Sequence, residues 1–196
     1  MTSPYKILGR QHLPPNTPIR HPITPEVVHH SEPAMMVMTD LSLTQAFTTP
    51  ASTPIDEALQ KMIYCGIRML LITDPDEAVI GLITARDIMG NQPVAFASQE
   101  GIPRAKVCVG DIMMGRDNIQ TLNMREVERS TIGDIVVTLS ESGRQHALVI
   151  EQEPDGKVMV RGIFSTTHIG YKLGVEIQPL GAVQSFAELE AVLQES

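Results

Sequence analysis

Two stretches of the chain repeat one order of hydrophobic patterns. Ile55, Ala58, Leu59, Met62 and Ile63 fall at i, i+3, i+4, i+7 and i+8, the spacing of one helical face. Thr53-Pro54-Ile55-Asp56-Glu57 supplies the start: threonine caps, proline fits the first helical position, and acids suit the positive end of the helix dipole. Gly66 ends that helix. The continuous apolar run Met69-Leu70-Leu71-Ile72 predicts a buried strand, Asp74-Pro75-Asp76 a turn, and Ala78 to Ile83 a second strand, with a short helix from Thr84.

The same order returns after Ser130. That serine is the expected cap, Ile132, Ile135, Val136 and Leu139 lie on one face, and Gly143 ends the helix. Strands are predicted at Ala147-Leu148-Val149-Ile150 and from Val158 to Phe164, joined by a turn around Pro154-Asp155-Gly156. Ile132 follows Ile55 by 77 residues, and Gly143 follows Gly66 by 77, whereas Gly162 follows Gly81 by 81. The extra residues fall in the second hairpin turn, where insertions are tolerated. Similar lead-ins precede the copies, Val37-Met38-Thr39-Asp40 and Asp111-Ile112-Met113-Met114. Each copy has a sheet face that must be covered, and two copies packed sheet to sheet solve that for both. The expected class is α+β.

Outside the copies the pattern changes. Residues 1–34 hold Pro4, Pro14, Pro15, Pro18, Pro22, Pro25 and Pro33, which forbid a long helix or central strand, so an extended arm is expected. The units are then 35–92 and 110–174, with a connector over 93–109 carrying a short helix near Val94 to Gln99. Residues 175–196 form an extension in which Ser185-Phe186-Ala187-Glu188, Leu189, Val192 and Leu193 predict a capped helix.

Composition narrows the function. No apolar run approaches the roughly 18 residues that span a bilayer, and no secretory core follows Met1, so neither a membrane association nor export is expected. Two cysteines, Cys65 and Cys108, make no disulfide framework, and a reducing cytoplasm is the simplest compartment. A formal charge of -8 is the wrong sign for a nucleic-acid partner. No nucleophile elbow, Walker loop or Cys-x-x-Cys is present, and no catalytic activity is expected. His29-His30 with His21 and Glu32 matches no metal spacing, so no metal is expected. Met35, Met36, Met38, Met113 and Met114 read as adaptable packing or interface residues.

The most distinctive repeated phrase is GLITARDI at 81–88 and GIFSTTHI at 162–169. With the lead-ins VMTD and DIMM, the LLITD strand end and the repeated order of elements, residues 35–174 resemble a tandem pair of cystathionine β-synthase (CBS) domains, often called a Bateman module. The resemblance implies two β-α-β-β-α repeats related by a pseudo-twofold axis, in a stand-alone bacterial-type CBS-domain protein. It also implies a cleft that binds AMP, ADP, ATP or S-adenosylmethionine, a regulatory role toward a partner protein, and homodimers.

Under that resemblance the hydroxyl and acid of G-aliphatic-x-[ST]-x-x-[DN] contact phosphate and ribose. The matching residues are Thr84 and Asp87. A helix start favours an anion, and an ionised carboxylate suits two ribose hydroxyls. Thr84 with Asp87 equally fits a capping box that serves only the helix end. Arg86 and Arg68 are the cations that could reach a phosphate, and Ile55, Leu71 and Ile72 are candidates to lie against adenine. In the second copy Ser165 keeps the hydroxyl, Thr166 and Thr167 add others, but His168 replaces the acid. A neutral imidazole accepts one hydrogen bond and an imidazolium none, so ribose recognition is weakened there, although a charged His168 could meet a phosphate. His146 matches Arg68 in this reading. The alternative is a dimerisation or scaffold module with empty clefts.

Overall fold

A computed structural model describes residues 8–20 and 28–174 of the chain. Residues 8–20 of the proline-rich arm contain no helix or strand and are exposed throughout. The predicted C-terminal helix and His21 lie outside the described residues.

The first unit begins with β1 (Thr39–Asp40) and β2 (Thr48–Pro50), followed by α1 (Ile55–Cys65), β3 (Met69–Thr73), β4 (Val79–Thr84) and α2 (Ala85–Met89). The connector holds α3 (Gln92–Glu100), longer than the helix expected there, with Pro93 in its first turn. Then come α4 (Val109–Ile112), β5 (Met114–Gly115), β6 (Thr121–Asn123), α5 (Met124–Val127), α6 (Ile132–Glu141), β7 (His146–Gln152), β8 (Val158–Ser165) and α7 (Thr166–Leu173).

Two helix starts differ from expectation. Pro54 itself occupies the cap position of α1 and, having no polar side-chain atom, makes no side-chain bond there, while Thr53 Oγ1 is engaged with Thr49 Oγ1 at 2.8 Å. Thr131 rather than Ser130 caps α6. Its Oγ1 accepts from the Asp134 amide, Asp134 accepts from the Thr131 amide in return, and Ser130 Oγ donates to the Glu126 carbonyl. The α1 face is buried at Ile55, Ala58 and Met62, but Ile63 is 64% exposed.

The strands form two four-stranded sheets, β2-β3-β4-β5 and β1-β8-β7-β6. In each, a parallel pair (β2 with β3, β6 with β7) adjoins the antiparallel hairpin. Met69, Leu71 and Leu82 of one sheet meet Leu148 of the other in a thin middle layer. The opposite faces carry Leu70, Ile72 and Ile83 toward the helices of the first unit, and Val149 and Phe164 toward those of the second. The α+β class and the sheet-to-sheet arrangement therefore stand.

The lead-ins cross over. β1 pairs with β8 of the second unit, Thr39 opposite Ile163 and Asp40 opposite Gly162. β5 pairs with β4 of the first, Met114 opposite Leu82 and Gly115 opposite Gly81. Each crossing strand brings a methionine over the glycine of the repeated phrase. A Cβ on Gly81 would stand 2.7 Å from Met113 Sδ, and one on Gly162 would overlap the Met38 side chain. At Gly81 the Met114 carbonyl oxygen, 2.8 Å from such a Cβ, leaves room for glycine alone, whereas at Gly162 the near atoms all belong to the Met38 side chain.

Further contacts follow the same exchange. Val107 and Val109 enter the first unit's core, while Val28, Ala34, Val37 and Met38 enter the second's. Asp40 of the crossed β1 pairs with Arg161 of β8, which also meets Glu151 Oε2 at 3.0 Å. The hydrogen bond from Arg161, with a further one from Ser42, lowers the Asp40 pKa to about 2.

Candidate functional site

At the end of each hairpin the second strand turns directly into a helix, and the two corners correspond atom for atom. The Ala85 amide bonds the Arg68 carbonyl at 2.9 Å, and the Thr166 amide bonds the Gln145 carbonyl at 3.0 Å. Met69 pairs with Thr84, and His146 with Ser165. The partner of Arg68 in the second unit is therefore Gln145, and His146 corresponds to Met69. The match expected between His146 and Arg68 is thus off by one residue: the 77-residue offset from Gly66 to Gly143 carries Arg68 to Gln145.

At the first corner Thr84 and Asp87 form a capping box. Asp87 Oδ2 accepts from the Thr84 amide at 2.8 Å and from Thr84 Oγ1 at 2.7 Å, while the Asp87 amide donates to Thr84 Oγ1 at 3.3 Å. Both bonds to the carboxylate fall on one oxygen; among the described residues none reaches Oδ1. At the second corner Ser165 precedes α7 with no side-chain cap, since His168 stands where the reciprocating acid would be.

Among the described residues, three cavities open beside these corners; one, about 760 Å³, lies on the α1 side of the first corner along Ile63, Arg68, Ala85, Arg86, Met89 and Gln145, and the other two lie between the sheets. The first of these two, about 250 Å³, is lined by Thr84, Arg86 and Asp87 with Leu82, and across the middle layer by Gly143, Arg144, Gln145, His146 and Leu148, together with Met114, Ile119 and Gln120. The second, about 420 Å³, joins Ser165, Thr167 and His168 to Ile67, Arg68, Met69 and Leu71 of the first unit and to Phe47 and Ala46 ahead of β2. Each of these two is thus built from the corner of one unit and the helix-to-strand loop of the other.

The placement of the expected residues follows. Thr84, Arg86, Asp87 and His146 come together in the first cavity, and Arg68, Leu71, Ser165 and His168 in the second, with His146 again at its wall. Arg68 does not join Asp87's cavity; its Nη1 donates to Thr167 Oγ1 at 3.5 Å. Ile55 and Ile72 line neither cavity, being wholly buried between sheet and helices. Gln120, Arg144 and Gln145 were not anticipated. Mapping Ile67 and Arg68 forward by the repeat offset would have found Arg144 and Gln145.

His146 is the electrostatic hinge between the cavities. Burial lowers its pKa to about 4, the nearby Asp87 opposing the shift and Arg68 adding to it. The ring is neutral at pH 7. His168 is also shifted down, by burial first and by Lys172 second. In the amino-terminal arm, Glu32 Oε2 accepts from the His29 amide at 2.8 Å, a local turn contact. No helix among the described residues is long and apolar enough to cross a membrane.

Comparison with known proteins places this architecture. The CBS domain family model matches residues 37–93. No curated protein sequence matches the chain. Among solved structures, an uncharacterized conserved protein from Pyrococcus horikoshii is similar over 77% of this chain and 98% of its own, with 22% identity and a TM-score of 0.54. CBSX2, from Arabidopsis thaliana and solved in complex with AMP, is similar over 71% of this chain and 94% of its own, with 18% identity and a TM-score of 0.50. A Methanocaldococcus jannaschii protein described as an archaeal homolog of g-AMPK is similar over 71% of this chain and 49% of its own, with 18% identity and a TM-score of 0.51. These likenesses concern the fold. Residues 37–93 match the CBS domain family model, and the described chain has the fold of a CBS-domain pair.

Proposed function

We propose that the protein is a regulatory module that binds an adenosine-containing ligand, AMP, ADP, ATP or S-adenosylmethionine, in the first cleft and passes its occupancy to a partner protein. The observation that carries this reading is Asp87, which spends one carboxylate oxygen on the helix cap and keeps the other for a ligand in the same cavity. Capping and ribose binding are therefore compatible: the cap fixes the carboxylate's orientation, and Oδ1 accepts from the ribose hydroxyls. The Asp87 amide is already bonded to Thr84, so phosphate charge falls to Arg86 and Arg144 rather than to the start of the five-residue α2. Leu82, Ile119 and Leu148 supply apolar surface for adenine. At about 250 Å³ the cavity is below the usual 300–1,000 Å³ range for enclosing a drug-sized ligand, so part of the nucleotide lies outside it.

The complex of CBSX2 with AMP supports the ligand class. Because the cavity draws its walls from both units, a ligand there favours one relative packing of the sheets, which is how occupancy becomes a signal. The proposed role is regulatory rather than catalytic. Calorimetry with the four ligands tests the proposal. Asp87→Ala should weaken the bound one at least tenfold, and absence of both heat and melting shift at millimolar ligand overturns the reading.

One observation favours a scaffold role beside or instead of sensing. Ile63 and Tyr64 on α1 and Met89 on α2 are 64%, 92% and 68% exposed. Apolar side chains of this size on neighbouring helices suit a homodimer contact. Under that reading Tyr64→Asp with Ile63→Asp yields monomer by light scattering while ligand binding persists. If the wild-type chain is itself monomeric, the dimer is excluded.

A further inference from the structure

The second cleft differs from the first in chemistry as well as in size. Its volume of about 420 Å³ lies within the usual range for small-molecule pockets, which combine apolar walls with a few placed polar groups. Leu41, Phe47, Ile67, Met69, Leu71 and Ile163 supply the walls, and among the described residues no aspartate or glutamate lines it. Arg68, Ser165, Thr167 and His168 form a polar cluster there, tied across the two units by the bond from Arg68 to Thr167. Among the described residues Arg68 takes part in no ion pair, unlike Arg104 and Arg161.

These features select a ligand by exclusion and by attraction. A ribose brings two hydroxyl donors, and the corner that meets them in the first cleft with a carboxylate offers only the imidazole of His168 here. A guanidinium without a carboxylate partner, beside hydroxyls, is matched by an anionic head group. The apolar walls are matched by a body that needs no hydrogen bonds. We propose that the second cleft binds an amphipathic organic anion, with a carboxylate head at Arg68 and Thr167 and an apolar body, free of ribose, along Phe47, Leu71 and Ile163. The proposal is independent of whether the first cleft holds a nucleotide.

The test uses the full chain with octanoate as probe, octanol as the uncharged body and AMP as competitor, read by calorimetry and by the NMR signals of Phe47 and Ile163. Octanoate should bind and shift both signals, octanol should bind at least tenfold more weakly, and any effect of AMP on octanoate affinity should level off as AMP saturates, as binding at separate clefts requires. Arg68→Gln should weaken octanoate at least tenfold, and Arg68→Lys should restore most of that loss. If Arg68→Gln also lowers the melting temperature, His168→Asp replaces it: a carboxylate placed in the cluster should weaken octanoate at least tenfold in a stably folded chain. The proposal is overturned by no octanoate binding at millimolar concentration, by equal binding of octanol, by unchanged affinity in the Arg68→Gln or His168→Asp variant, or by displacement of octanoate by AMP that does not level off.

Discussion

The two corners share a backbone and differ at the residue that closes them. Thr84 and Asp87 bond each other reciprocally and stand with Arg86 and Arg144 around a small cavity that mixes both charges. Ser165 and His168 make no such box, and their cavity is larger, more apolar and, among the described residues, without a carboxylate. One substitution in a repeated phrase thus changes the helix start and the charge of the cleft together, because the same position both closes the helix start and lines the cleft. A duplicated scaffold diverges cheaply at such positions, since strand pairing and the crossed lead-ins are left untouched.

The comparison breaks most severely at what the corners have in common. Gly81→Ala sets a methyl against the Met114 carbonyl oxygen and should destabilise the chain by about 2–3 kcal/mol in denaturant titration, and Gly162→Ala, which has only to displace the Met38 side chain, should cost about 1 kcal/mol. Loss from only one of them would mean that only one crossing is a tight fit.

A second measurement probes the wall between the clefts. Folding lowers the His146 pKa from 6.5 to about 4, so the unfolded chain takes up a proton first as pH falls. The associated stability is present above about pH 6.5 and is lost between there and about pH 4. It should contribute about 3 kcal/mol to the pH dependence, roughly 6–12 °C of melting temperature. His146→Gln should remove that part of the pH slope, and Asp87→Asn should shift the titration lower by removing the carboxylate that opposes the shift.

The smallest effect sharpens the contrast by erasing it. His168→Asp rebuilds the box at the start of α7 and should stabilise the chain by about 1 kcal/mol in thermal or denaturant unfolding. The reverse change, Asp87→His, should cost a similar amount.

The order of elements was legible because each helix and hairpin announces itself with its own period, cap or turn, and doing so twice removes ambiguity. The faces were less legible. Met69 to Ile72 is apolar at every position, since both sides of that sheet are covered, and a run without alternation does not say that Leu71 faces the cleft while Ile72 faces α1. Ile55 was misassigned for a related reason: the helix period locates its apolar face without naming what the face meets. The crossing of β1 and β5 left no trace in the sequence, because two lead-ins of like composition satisfy either sheet equally well in a one-dimensional pattern. The cleft residues inherit that gap, as each cavity is completed by the other unit.

The crossing also sets an order of events at the ribosome. Domains tend to fold from the amino terminus as they emerge, yet β1 finds its partner only when Gly162 and Ile163 have been made, and the first sheet lacks its edge until Met114 and Gly115 appear. The earliest residues of the pair wait for nearly the last, so the chain commits to its final form only when synthesis of the second unit is almost complete.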